Sequence, residues 1–433
     1  MRGLRGGLRP GLHGPPRIRA AGHAGPLRGF GAGGGSPHMS ARQIAQELVS
    51  PTKLWHLTVL GDSRHSAKQL YWLTDCAEVA WGGRDNTLSF GFDRPDAGGA
   101  IQNYESTAMS GVGPYLSPLI APAAATPWWP VVSHECKFGG TNTLNSNALA
   151  ARIWGGGIAL ATDAPLLLAR LQALGPTTAV RARMLLYRHT GAMSAVPGVR
   201  LNFNPGTTQF GAPGADAGPM IYDCTGSGYL DCYAEHPAGY DWDAYPTQAI
   251  DLCTAVNAAT VAGETVSFTH PWIEMQGPGI VLMSCAISGS SIKRYVEEAT
   301  FPESLWTGYF PAVGANRMLW IDLGTNNPEL YTQAQHEAFL ELLIARHRLV
   351  DPYAPVVIST AFPNSTDGAT TYYRDGAIAV AARVPGVLLI DTFATLTYAQ
   401  AVAAGYMGGT IHRSDAGNHA LFADIGDRIA AAA

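Results

Sequence analysis

Gly61-Asp62-Ser63 stands directly behind the apolar run Leu57-Thr58-Val59-Leu60, so a serine hydroxyl is expected on a turn at the end of a strand. A hydroxyl presented in this way can attack an ester carbonyl once a base takes its proton. The same triplet is also ordinary turn chemistry, in which glycine permits unusual backbone angles and Asp or Ser caps a following helix. Three further segments share its setting. Gly279-Ile-Val-Leu-Met-Ser284 reads as a buried strand and runs into Cys285-Ala-Ile-Ser-Gly289-Ser-Ser291. Met318-Leu-Trp-Ile-Asp-Leu323 reads as another and ends in Gly324-Thr-Asn326-Asn327. Near the C-terminus, Ile411-His412-Arg413-Ser414-Asp415-Ala-Gly417 precedes a terminal helix. Taken singly, Asn326 is a strand-end turn residue, Gly289 a helix entry and His412 a loop histidine. Taken together, they fall at the C-terminal ends of strands or before the last helix, where the sites of open α/β sheets form.

The order of these four segments resembles that of the SGNH, or GDSL-type, hydrolases. The resemblance covers about half the chain in short blocks and implies a serine esterase that works without metal or cofactor. It makes Ser63 the nucleophile that carries the acyl group and His412 the base that returns the proton to the leaving alcohol. It makes the backbone N–H groups of Ser63 and Gly289 and the side-chain amide of Asn326 the donors that meet the developing oxyanion. One position departs from the pattern, because the family places an aspartate three residues before the histidine and this chain has Gly409. Two arrangements follow. In the first, ranked ahead, a backbone carbonyl or water holds the imidazole of a Ser63–His412 dyad; in the second, Asp415 or Asp391 serves as the third member. Arg64 stands where the family often has leucine, and its charge suits an acidic substrate. His419 reads as a helix-surface residue.

The elements that would position this set alternate in type. Strands are expected at 57, 280, 318, 356–358 and 387–390, each apolar throughout, as in a parallel sheet covered on both sides. Helices are expected over 328–348 and 374–383. The fold class is therefore α/β, a flavodoxin-like three-layer α/β/α sandwich. Between the first and second blocks lie about two hundred residues, far longer than a loop. Short β-like runs recur there between Gly- and Pro-rich turns, with a helix over 161–174, so an inserted mainly-β, sandwich-like module is expected. The domain reading is a Gly/Arg/Pro-rich arm over 1–38, a catalytic domain over 39–89 and 276–433, and the inserted module over 90–275. Its aromatics, Thr126-Pro-Trp-Trp-Pro130 and Tyr240-Asp-Trp-Asp-Ala-Tyr245, suit either sugar rings or a sandwich core.

Composition sets limits on partners. The chain has 433 residues, 47% of them hydrophobic and 14% charged, enough apolar material for more than one core. A net charge of −5 gives no electrostatic footprint for nucleic acid. Pro and Gly interrupt every apolar stretch before the roughly 18 residues needed to span a bilayer. The arm has no acidic residue before Glu47 and no continuous apolar core of a secretory signal; Met39 is a candidate start. Neither compartment nor oligomeric state is legible. Six cysteines without Cys-x-x-Cys spacing argue against zinc, and Cys224 and Cys232 flank a candidate hairpin that a disulfide would close in an oxidising compartment. Asp241, Asp243 and Asp251 lack the dense spacing of a calcium loop.

The substrate expected from the resemblance is a short-chain acyl ester, with acetyl on a carbohydrate first. The alternatives are a lipid or simple-ester hydrolase of the same fold, and a non-catalytic protein that binds a glycan or a partner.

Overall fold

A computed structural model describes residues 37–62, 65, 75–76, 278–284, 291–296, 303, 305–326, 331–360, 367–392, 396–410 and 412–433, and the backbone of the strands between residues 87 and 275. Ser63, Arg64, Gly289 and the helix expected over 161–174 lie outside the described residues.

Five strands form the parallel core: β1 (Leu54–Gly61), β2 (Gly279–Ser284), β3 (Arg317–Asp322), β4 (Val356–Ser359) and β5 (Val387–Ile390). Their spatial order is β2-β1-β3-β4-β5, and every adjacent pair is parallel. This is the flavodoxin-like order, in which the connections leave β1 in opposite directions and open a crevice between β1 and β3 at the strands' carboxyl ends. All six residues of β3 and all four of β4 are buried, so side chains on both faces of the sheet are covered. That explains why the strands read as continuous apolar runs and not as alternating ones.

Two helical groups supply the cover. On one side α1 (Ala41–Val49) packs on the terminal helix α5 (Asp415–Ala432), and both touch β5. On the other, α2 (Ile292–Val296) and α4 (Asp367–Arg383) pack on α3 (Gln333–His347). Helix α3 begins five residues later than the sequence pattern suggests, at a capping box in which Thr332 and Gln335 satisfy each other's backbone donors. Helix α4 starts seven residues earlier than expected. The unanticipated α1 has the same device in Ser40 and Gln43.

The strands described between 87 and 275 extend the sheet at its β2 edge. Thr87–Gly91 pairs parallel with β2, Trp272–Met275 pairs antiparallel with Thr87–Gly91, and Val180–Arg188 follows, flanked by Gly228–His236 and Thr265–Phe268. The turn of the candidate hairpin between Cys224 and Cys232 lies outside the described residues. Ile221–Asp223 pairs with Gly198–Arg200 in a separate ladder, while Gly228–His236 pairs along its whole length with Val180–Arg188. The nine-residue register with Val180–Arg188 offers far more backbone hydrogen bonds than a short local hairpin would.

Among the described residues, no helix is long and apolar enough to cross a membrane, and no group of three or more His, Cys, Asp and Glu side chains is placed to hold a metal ion.

Candidate active site

The register between β1 and β3 brings the first and third blocks together. Gly61 stands opposite Asp322, so along the sequence Ser63 comes two residues and Asn326 four residues after the same rung. The turn after β1 is closed by a hydrogen bond from the His65 N–H to the Asp62 carbonyl, 3.0 Å, and both flanking residues are buried. After β3, Gly324 takes a φ of +144°, which L side chains rarely adopt, and a Cβ there would press on the Tyr373 ring at 3.2–3.4 Å. Glycine is thus required where the chain turns towards Asn326. Asn326 is half-buried.

His412 is exposed and sits on a short loop between the helix Tyr398–Ala403 and α5. The loop is tied across its base. The Gly408 N–H donates to the His412 carbonyl (3.0 Å), the Ser414 N–H to the Tyr406 carbonyl (2.9 Å), and the Ser414 hydroxyl to the Gly405 carbonyl (2.7 Å). Ser414 also caps α5 by accepting from the Gly417 N–H at 3.1 Å. Gly417 lies against the Tyr406 backbone with no room for a side chain. These contacts leave the position of His412 little freedom.

Five side-chain contacts connect the neighbours of the candidate residues. Tyr295 on α2, six residues after Gly289, donates its hydroxyl to the Gly61 carbonyl at 2.6 Å. The hydroxyls of Ser291 and Tyr331 are 3.1 Å apart, joining the chain after Gly289 to the chain after Asn326. His65 Nε2 is 2.9 Å from Asp322 Oδ2, close enough to pair with the carboxylate when the ring is protonated. The His65 ring meets Phe422 of α5 edge-on at 5.7 Å, and the Arg413 guanidinium lies 5.9 Å over the same Phe422 ring. Arg413 is itself held by a buried hydrogen bond to Asn418, 2.9 Å. The immediate neighbours of Ser63 and of His412 therefore pack on one aromatic ring.

The two carboxylates considered as a third member have different surroundings. Asp415 is exposed in the first turn of α5, where the helix N-terminus favours negative charge. Asp391, just past β5, accepts from Arg374 through both oxygens (2.7–3.0 Å) and from the Thr360 hydroxyl (3.0 Å). Burial alone would raise the Asp391 carboxyl, but the hydrogen bonds from Arg374 and Thr360 and the guanidinium charge override it and hold it below the usual carboxylate range. Gly409 has open space around it. His419 is exposed on α5, as expected of a helix-surface residue, and contacts Asp75 at 2.7 Å.

No signal in the linear sequence marks His65 and Tyr295 as buried supports of the site, or Phe422 as a neighbour of His65. Their roles come from packing between segments far apart in the chain.

No protein-family model matches the chain, and no curated protein matches it. Solved structures with a similar course of the chain include a peptidoglycan O-acetylesterase, 11% identical, over 90% of this chain and 94% of that one, with a TM-score of 0.47. A carbohydrate esterase family 3 protein from Talaromyces cellulolyticus is 14% identical over 34% of this chain and 69% of its own, with a TM-score of 0.28. A member of the lipolytic G-D-S-L family from Veillonella parvula is 16% identical over 34% of this chain and 78% of its own, with a TM-score of 0.26. Identities this low carry no residue correspondence.

Proposed function

We propose that the chain is a serine esterase of the SGNH type that transfers an acyl group to Ser63 and then to water. The observation that carries this reading is the convergence of the four blocks. Residues within six positions of Ser63, Gly289 and Asn326 touch one another, and Arg413, beside His412, shares the Phe422 ring with His65. A chain that only caps strands with common turn residues has no need to tie these four turns together.

In this reading, His412 takes the Ser63 proton as the hydroxyl oxygen bonds to the ester carbonyl carbon. The carbonyl oxygen gains negative charge and is met by the Ser63 and Gly289 N–H groups and the Asn326 amide. Collapse expels the alcohol, which receives the proton from His412, and water repeats the sequence in reverse to release the acid. The Asp391 carboxylate is engaged by Arg374, and this supports a dyad in which a carbonyl or water orients His412, with Asp415 as the remaining carboxylate candidate. No step calls on a metal or cofactor.

The acyl group we propose is short, with acetyl on a carbohydrate as the first substrate class. This follows the family resemblance and the aromatic pairs of the region over 90–275, which lie outside the described residues. Initial rates with p-nitrophenyl acetate, butyrate, octanoate and palmitate, together with acetate release from O-acetylated polysaccharides, test it. Preference for acetate supports the reading. A rise in kcat/KM with acyl length moves it to a lipid hydrolase, and binding of glycan without turnover moves it to a non-catalytic binding protein.

A further inference from the structure

We propose that His65 is a positioning residue for this chemistry: with Asp322 and Phe422 it fixes the turn carrying Ser63 relative to both Asn326 and His412. The inference rests on the reading of Ser63 as nucleophile and adds a residue that the four blocks do not contain.

His65 is only 1% exposed, so it cannot touch substrate or serve as a proton acceptor for it. Its side chain packs against the end of β1. A Cβ on Gly61 would stand 2.8 Å from His65 Cβ and 3.0 Å from Cγ, so the ring lies hard against the last residue of β1. Its backbone N–H closes the turn on Asp62 at 3.0 Å. Its Nε2 reaches across to Asp322 at 2.9 Å, the residue opposite Gly61 on β3 and four before Asn326. Its remaining edge meets Phe422, the ring that also lies beneath Arg413 beside His412.

Asp322 is held from the far side as well. The Ser359 hydroxyl of β4 donates to Asp322 Oδ2 at 2.6 Å and accepts from Trp320 Nε1 at 2.8 Å. A polar chain thus runs Trp320–Ser359–Asp322–His65 from β3 and β4 to the segment that follows β1. As a device for stability alone this is a poor choice, since a buried ionisable pair contributes no more than apolar residues of similar volume. What it supplies is direction. The carboxylate fixes the ring, the ring fixes the turn, and a misplacement of about 1 Å at a reacting centre costs on the order of 100-fold in rate.

The test compares His65→Ala, His65→Gln and Asp322→Asn with wild type and Ser63→Ala, in the full chain. Thermal melts, kcat and KM for p-nitrophenyl acetate, and the rate of fluorophosphonate labelling are measured below the lowest melting temperature. The expected result is a fall in kcat and labelling rate of about 100-fold for His65→Ala and Asp322→Asn, with KM changed by less than about threefold. His65→Gln, which keeps a donor near the Nε2 position, recovers at least about tenfold of that loss. The proposal is overturned if folded His65→Ala keeps wild-type kcat, or if His65→Gln recovers the melting temperature without the rate. If His65→Ala does not fold, Asp322→Asn and His65→Gln decide the matter by the same criteria. Ser63→Ala separates the two failures: wild-type turnover in that variant removes the nucleophile reading itself, whereas an inactive Ser63→Ala beside an unimpaired His65→Ala removes only the positioning role.

Discussion

Replacing Gly417 by alanine adds one methyl group, and its effect follows from the way the His412 loop is held. A Cβ at residue 417 would stand 2.8 Å from the Tyr406 carbonyl carbon and 3.0 Å from its Cα, with the carbonyl oxygen closer still. Ordinary contact begins at 3.4 Å, so the carbon must retreat by the difference and the oxygen by more. That oxygen accepts the Ser414 N–H at 2.9 Å, and the Tyr406 N–H donates to Ala401 at 2.8 Å, so the loop cannot slide without loosening both ties. Overpacking of this kind costs about 1–3 kcal/mol, which exceeds the roughly 0.5–1 kcal/mol that alanine gains over glycine in a helix. The variant is therefore expected to be less stable despite its better helix propensity. Because the displaced loop carries His412, kcat is expected to fall by about 100-fold, the scale of a 1 Å misplacement. The assay is p-nitrophenyl acetate hydrolysis alongside a thermal melt, with Gly409→Ala as the matched control, since nothing lies within 4 Å of a Cβ at residue 409. Equal kcat in folded Gly417→Ala and Gly409→Ala refutes the link between the loop clamp and the base.

Gly409→Asp restores the carboxylate that the family pattern places three residues before the histidine. With open space around it, the variant is expected to fold normally and raise kcat by up to about tenfold, a small part of the ~10²–10⁴ that general acid–base catalysis supplies; an unchanged rate means that His412 is already oriented. Ser359→Ala removes the donor to the buried Asp322 and the acceptor of Trp320, and is expected to lower stability by about 1–3 kcal/mol in urea unfolding; wild-type stability contradicts the buried chain. Burial pushes His336 down to about 4 and His347 down to about 3, with Arg317 and Arg348 adding to the second shift. Both histidines have lowered folded-state pKa values, so the unfolded chain binds more protons below pH ~6.5. Stability is full above that pH and falls as pH drops towards 4 and then 3. His347→Gln is expected to reduce the difference in urea midpoint between neutral pH and pH 4, and an unreduced difference contradicts the account.

The parallel core was legible because its strands are buried on both faces. Leu57 to Leu60, Ile280 to Leu282 and Met318 to Ile321 carry largely apolar runs that no solvent-facing strand would tolerate, and Gly61 and Gly324 follow the first and the third. Element ends were less legible. The start of α3 is set by the Thr332–Gln335 box, and α1 by the same Ser-x-x-Gln signal, which could have been found from spacing alone. At the site, the four blocks were visible as strand-end motifs, but their supports were not. His65 looks like any polar loop residue, and its burial arises only when Asp322, 257 positions later, and Phe422 close over it. Tyr295 and Gly61 are 234 residues apart. Such pairings depend on sheet order, which no local pattern encodes.

The most direct test of the account is covalent capture at Ser63. Wild type and Ser63→Ala are treated with a fluorophosphonate, digested and mapped by mass spectrometry, and both are assayed with p-nitrophenyl acetate. The account predicts one adduct on the peptide containing Ser63 in the wild type, none in Ser63→Ala, and turnover only in the wild type. Turnover and labelling that persist in Ser63→Ala, or their absence from a folded wild type, contradict the assignment of Ser63 as the nucleophile of an esterase.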